Sequence, residues 1–407
     1  MSFPKSSVLL HRGARSDAWA ATRSRIREVD EANSLYPQYF SKAKGAWLWD
    51  VDGNRYIDFI LGYGPVVLGH ADERVNAAVT KELEKGCCIS PMWSVRQVEL
   101  TELLLEVIPG AECAYLMRTG SDATAAAVRL ARIYTGREKV LKWGYNGWHD
   151  WTAPRPAGVP EGTRANTLHF TYNDLASVHR AFEEHPRQIA CVIMMPFELE
   201  LPRSGFLNEV RELAHQHGAL FILDEMRSGF RMAVGGAQEY FGLVADLSTF
   251  SKAMANGFPI SAVVGRADIL QGLGQTHMSS TYYANPAEMV AAITTISILR
   301  STDSLATVWR LSELFCEGMR SLLKKHRVPA EMRGFDISPL LEFQDNEGVP
   351  AQELKVRFFQ QTVQNGVLFH PNHQWYLSAA HTVEDIEETL RVCDRAFSVA
   401  MTSLGAG

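Results

Sequence analysis

Four stretches of the chain carry residue types that can do chemistry. "RTGSDATAAA" sets Gly120 and Ser121 at the start of an alanine-rich helical segment. Free backbone N–H groups and the dipole at such a start favour a phosphate, although a plain helix cap uses the same residues. "GYNGWHDW", residues 144–151, interleaves aromatic and imidazole side chains with glycines. One of those rings can face a flat ligand, or the stretch is a packed surface loop. "ALFILDE" ends an apolar run on Asp224, a carboxylate that is costly to bury unless paired. A protonated pyridine nitrogen is one suitable partner; Ser228 or an N–H of the next loop is another. "LSTFSKAMANGFPISAVVG" has one charge, Lys252, among small, hydroxylated and apolar residues. Loss of hydration lowers an ammonium's pKa, and a free amine is what a Schiff-base lysine needs.

Each of these stretches sits against a strand-like run. "CAYLM", "KVLKW", "IACVIMM" and "ALFILDE" read as buried strands, and so does the run at 260–264 after Lys252. Helical spacing lies between them, at 121–134 and in "FLNEVRELAHQHG", which ends on the C-cap glycine Gly218. This alternation predicts an α/β domain with a mostly parallel sheet over residues 61–299, with ligands at the carboxyl ends of its strands. "GAWLWDVDGNRYIDF" predicts a hairpin about Asp52-Gly53. Residues 16–33 predict a helix. Helices near 302–325, 351–365 and 382–400 around short strands predict a smaller α+β domain over 300–407, joined by residues 1–60.

Composition narrows the function classes. The chain has 407 residues and a formal net charge of -6 without a basic stripe, which argues against a nucleic-acid partner. The arginines at positions 12–27 are mixed with acids, as on a solvated helix face. No apolar run reaches the roughly 18 residues of a membrane span. The six cysteines show no C-x-x-C spacing and no secretory signal is evident, which points to a reduced, cytoplasmic enzyme. "GYGPVVLG" at 62–69 has two of the three glycines of a dinucleotide fingerprint, with the third out of register, so a dehydrogenase is rejected. His370 and His373 have no evident third ligand, so no metal is expected. His149 and Asp150 are adjacent and point apart, which favours a structural role over an acid–base pair.

A phosphate anchor, a ring face, an anion for a ring nitrogen and an amine for an aldehyde are together what pyridoxal 5′-phosphate requires. Over nearly its whole length the chain resembles the class III, fold-type I pyridoxal-phosphate aminotransferases, in the branch of glutamate-1-semialdehyde aminomutase. "RTGSDA" resembles the family's phosphate loop, which implies that Gly120 and Ser121 hold the phosphate. "GYNGWHDW" resembles its Tyr-His-Gly segment, which implies that Tyr145 stacks on the ring. "LDEMRSGFR" implies Asp224 on the ring nitrogen and Met226 on the opposite face. "TFSKAMANGFPISAVVG" implies Lys252 as the Schiff-base lysine and proton shuttle, with a pyridoxamine phosphate intermediate. "STYYANP" implies that Thr281 reaches the phosphate of a partner subunit, hence a homodimer with active sites at its interface. Trp148, Glu198, Tyr282 and His370 are the substrate-side candidates.

Three positions depart from the family's pattern: Met195 stands for its Glu, Asn146 for its His, and "NSLYPQYF" lacks the aminomutase's carboxylate-binding arginine. The resemblance therefore implies transamination between an amino donor and a carbonyl acceptor, with a 1,2-aminomutase as the alternative and a cofactor-binding regulator as a remote one. Without that arginine, Met195, Trp148, Trp151, Tyr282 and Tyr283 are expected to make a roomy, apolar pocket for a neutral or bulky carbonyl compound. A pocket-lining Arg203 or Arg227 would weaken that expectation.

Overall fold

The computed structural model describes residues 1, 3–18, 36–283, 285–345 and 350–402, so the helix expected at 16–33 lies almost entirely outside the described residues. The chain forms two compact units, one from residues 1–72 with 306–407 and one from residues 73–305.

The 73–305 unit is built on a seven-stranded sheet. Its strands are β1 (Cys113–Met117), β2 (Lys139–Trp143), β3 (Thr167–His169), β4 (Ile189–Met194), β5 (Leu220–Asp224), β6 (Leu247–Phe250) and β7 (Ser261–Gly265). They lie side by side in the order β1-β7-β6-β5-β4-β2-β3. β3, β2, β4, β5 and β6 are parallel, while β7 runs antiparallel to both β6 and β1. β4, β5 and β7 are buried along their whole length, which is why they read as continuous apolar runs rather than alternating ones. Parallel register aligns the carboxyl ends: Asp224, the last residue of β5, stands beside Thr249 of β6, and Met194 ends β4 beside Trp143 at the end of β2.

Helix α1 (Gly120–Thr135) crosses this sheet. Its alanines 123, 126, 127 and 131 pack with Val140, Ile193, Ile222 and Val263, and their small side chains let the helix lie close to the strands. A capping box starts it: the Thr119 hydroxyl accepts from Asp122 N–H at 3.2 Å, and the Asp122 carboxylate accepts from Thr119 N–H at 2.8 Å. That reciprocal cap stabilises the helix start by about 1 kcal/mol and leaves it facing the strand ends.

In the other unit, strands Phe40–Lys44, Trp47–Asp50 and Arg55–Asp58 form an antiparallel meander that turns through Gly53, whose φ of +94° suits glycine. Val367–Leu368 adds to it in parallel, so both ends of the chain share one sheet. Its core is aromatic: Phe59 lies 4.7 Å from Phe369, which lies 4.1 Å from Trp375. Residues 61–72 belong with this unit, not with the α/β unit expected to begin at 61. The reason is hydrogen bonding: Tyr376 N–H donates to Phe59 C=O at 2.8 Å and Ala379 N–H to Val67 C=O at 2.8 Å. Residues 300–305 stay with the α/β unit, where helix Pro286–Ser301 packs on helices Glu73–Leu83 and Val95–Val107.

Candidate active site

The loops after β1, β2, β4, β5 and β6 enclose a cavity of about 300 Å³. Lys252 enters it two residues past the end of β6, at the start of the short 3-10 helix Lys252–Ala255. Its φ is +44°, a left-handed conformation that costs a non-glycine residue about 1 kcal/mol or more. The fully buried Ala253, Met254 and Ala255 hold it there. Burial lowers the Lys252 ammonium to a pKa of about 7; Arg227 and Arg231 push the same way and Asp224 opposes them. The free amine is therefore far more populated at neutral pH than the roughly one in three thousand of an ordinary lysine.

Asp224 is buried to 1 % exposure. One carboxylate oxygen accepts from Asn146 Nδ2 at 2.8 Å and the other from Met226 N–H at 3.1 Å. Burial raises its pKa, and the two hydrogen bonds together with Lys252 and Arg227 counter that rise. Ser228, the alternative partner, donates to Glu225 instead. Asn146 is itself pinned, since its carbonyl accepts from Thr124 Oγ1 at 2.7 Å, while its buried Oδ1 has no hydrogen-bond partner.

The loop carrying Tyr145 and Asn146 lies against the start of α1. At Gly147, φ is +104° and a Cβ would come within 2.6 Å of Ser121 Oγ; at Gly120 a Cβ would come within 2.7 Å of Met226 Sδ. At Gly147 the backbone must come close in a left-handed conformation, which glycine permits, whereas at Gly120 the neighbour is the end of the flexible Met226 side chain. Tyr145 and Trp148 are exposed at the mouth of the cavity and Met226 lines its wall.

The structure thus brings Lys252, Asp224, Gly120, Ser121, Tyr145, Met226 and Trp148 to one cavity. Glu198 does not line it but receives a hydrogen bond at 2.9 Å from Arg227, which does. Thr281 and Tyr282 are exposed and off the cavity, with the Arg118 guanidinium 5.8 Å from the Tyr282 ring. His370 belongs to the other unit, with its ring 5.5 Å from that of Tyr63. The expected roomy, apolar pocket is met in part: Met195 and Trp148 line the cavity, Trp151, Tyr282 and Tyr283 do not, and the lining Arg227 weakens the apolar reading. Arg203 pairs with Glu209 on the surface. His149 lies 4.0 Å from Asp122, and among the described residues no cluster suits a metal ion. Thr119, Ser251 and the hydrogen bond of Asn146 to Asp224 were not anticipated. The bond joins residues 78 positions apart, and no local spacing signals it.

Residues 29–392 match the family described as Aminotransferase class-III. The chain belongs to the class-III aminotransferases. It is 39% identical over 363 residues to a 3-aminobutyryl-CoA aminotransferase of Cloacimonas acidaminovorans, covering 87% of each chain. It is 34% identical over 393 residues to a glutamate-1-semialdehyde 2,1-aminomutase of Methanocaldococcus jannaschii, covering 89% of this chain and 92% of that one. Among solved structures it is similar to the FumI protein of Sphingopyxis sp. MTA144, determined in its PLP internal aldimine form. That match has a TM-score of 0.93 and 30% identity and covers 98% of this chain and 97% of that chain. The sheet order and the crossing helices are those of fold type I, and this aminotransferase is a pyridoxal-phosphate-dependent transaminase. The cavity suits that cofactor: a capped helix start for its phosphate, a buried anion for its ring nitrogen and a half-buried amine for its aldehyde.

Proposed function

We propose that this aminotransferase moves an amino group between a small-molecule amino donor and a carbonyl acceptor, with Lys252 as the covalent anchor and the proton shuttle. The observation that carries the reading is a half-buried amine and a buried carboxylate in one cavity with the capped start of α1. When bound, the cofactor supplies an aldehyde and a ring that takes up the electron pair left at the substrate carbon. Gly120 and Ser121 would offer N–H groups to its phosphate, and Tyr145 and Met226, which line the same cavity, would hold its ring. Asp224 holds a proton on the ring nitrogen by remaining an anion, which the Asn146 and Met226 donors favour. Lys252 Nζ, whose pKa burial lowers, would act as the base that takes a proton from the substrate carbon and as the acid that gives it back. Trp148 and Arg227 wall the substrate side.

The reading extends to a homodimer. Met92, Trp93, Val95 and Val98 form an exposed apolar strip, with Trp93 80 % exposed, and such a strip is suited to burial against a second copy. In that assembly Thr281 of one copy serves the partner's phosphate. All six cysteines are free, which accords with a reducing, cytoplasmic setting. Among the described residues no helix is long and apolar enough to cross a membrane.

The test is the visible spectrum of the holoenzyme with single amino donors. A band that a donor bleaches and a keto acid restores supports transamination and names the donor class. A band that no external donor bleaches, with turnover of an amino-aldehyde alone, moves the reading to an aminomutase.

A further inference from the structure

A second cavity, of about 270 Å³, lies at the carboxyl ends of β2 and β3 beside the loop at 150–156. Lys142 of β2 and His169 of β3 are register partners there, so both project from the same side of the sheet. Lys142 is 5 % exposed, yet its Nζ makes one hydrogen bond, to Thr152 Oγ1 at 2.6 Å. An ammonium has three donors, and a buried cation is costly without a counter-charge. Among the described residues neither Lys142 nor Arg164, which stands exposed on the rim, has a carboxylate within ion-pair distance. Trp151, 9 % exposed, lines the same cavity, and its buried indole N–H has no hydrogen-bond partner. The one acid of the lining, Asp150, is exposed. Burial lowers the pKa of Lys142 and Asp224, which is not part of the lining, acts the other way; burial together with Lys142 lowers that of His169. Within its own lining the cluster is short of negative charge.

We infer that this cavity is a second anion site that takes a phosphate or a phosphate monoester. Lys142 Nζ supplies the buried charge, the Thr152 hydroxyl supplies a fixed donor, and the Arg164 guanidinium closes the mouth. A dianionic oxyanion with several acceptor oxygens uses all of these groups at once. A metal cation is repelled by the same cluster. The site shares no lining residue with the Lys252 cavity and does not depend on the reading given for it.

Calorimetric titration of the holoenzyme, its cofactor phosphate already in place, with inorganic phosphate and with methyl phosphate tests this. Saturable binding is expected, weakened at least about tenfold in Arg164→Ala and in Lys142→Met, the worth of one hydrogen bond to a charged group. Arg164 is exposed, so its variant stays informative even if Lys142→Met fails to fold. Preference for the ester would assign the site to a phosphorylated ligand, and preference for the free anion to phosphate itself. Absence of binding, or binding that Arg164→Ala leaves unchanged, overturns the inference, and neither result bears on transamination.

Discussion

Asn146→Ala would remove one of the two hydrogen bonds that hold the Asp224 carboxylate, the one at 2.8 Å, and leave the Met226 N–H at 3.1 Å. A hydrogen bond to a charged group is worth about 1.5–3 kcal/mol, and about 1.4 kcal/mol corresponds to one pKa unit. Asp224, already raised by burial, should therefore rise further. Its anionic form is the competent one, so the acid limb of the donor half-reaction should move to higher pH while the alkaline plateau persists. Stopped-flow bleaching of the cofactor band, followed from about pH 5 to 9, reads this directly. Stability gives an independent check of sign. A carboxyl group whose folded pKa is raised contributes stability below its unfolded value of 3.8 and loses it as pH rises through the folded pKa. The melting deficit of Asn146→Ala should accordingly be larger at pH 8 than at pH 4. Asn146→His, which restores an N–H donor, should move the acid limb back. An acid limb unchanged in Asn146→Ala, with the cofactor band intact, would refute the claim that Asn146 holds the charge of Asp224.

Gly147→Ala forces a Cβ into a φ of +104° and to within 2.6 Å of Ser121 Oγ. The cost is about 1–3 kcal/mol, seen as cofactor affinity reduced about tenfold or more by fluorescence titration, whereas Gly162→Ala, which meets nothing within 4 Å, should bind normally. Removing the Arg227 charge in Arg227→Met should raise the pKa of Lys252 from about 7, so the pH midpoint for acylation of this amine in the apoenzyme moves up. An unmoved midpoint would show that Arg227 does not tune it. Trp93→Asp places a charge in the exposed apolar strip, and sedimentation velocity should show a dimer converted to monomer. A wild-type chain that sediments as a monomer would contradict the interface reading.

The parts of the site that were legible in the sequence are those fixed by short-range chemistry. Lys252 stands out because it is the one charge in a nineteen-residue run, and Asp224 because it ends a strand that is otherwise apolar. Gly120 and Ser121 were legible because they open an alanine-rich helical segment directly after a strand-like run. What tertiary packing decides was not legible. Arg203 and Arg227 look alike in the sequence, yet one reaches Glu209 on the surface and the other enters the cavity beside Lys252. The segment at 62–69 reads as a lead-in to the α/β sheet, but its backbone bonds to residues near 379, which transfers it to the other unit. Lys142 was not singled out within "KVLKW", where Lys139 and Lys142 look alike and only tertiary packing buries one of them.

The measurement that bears most directly on the central claim is borohydride reduction of the holoenzyme followed by peptide mapping. The account predicts one pyridoxyl group per chain, on the peptide carrying Lys252, and its absence from Lys252→Ala together with loss of the visible band. A pyridoxyl group on Lys142 or another lysine, or a visible band retained by Lys252→Ala after dialysis, would contradict it.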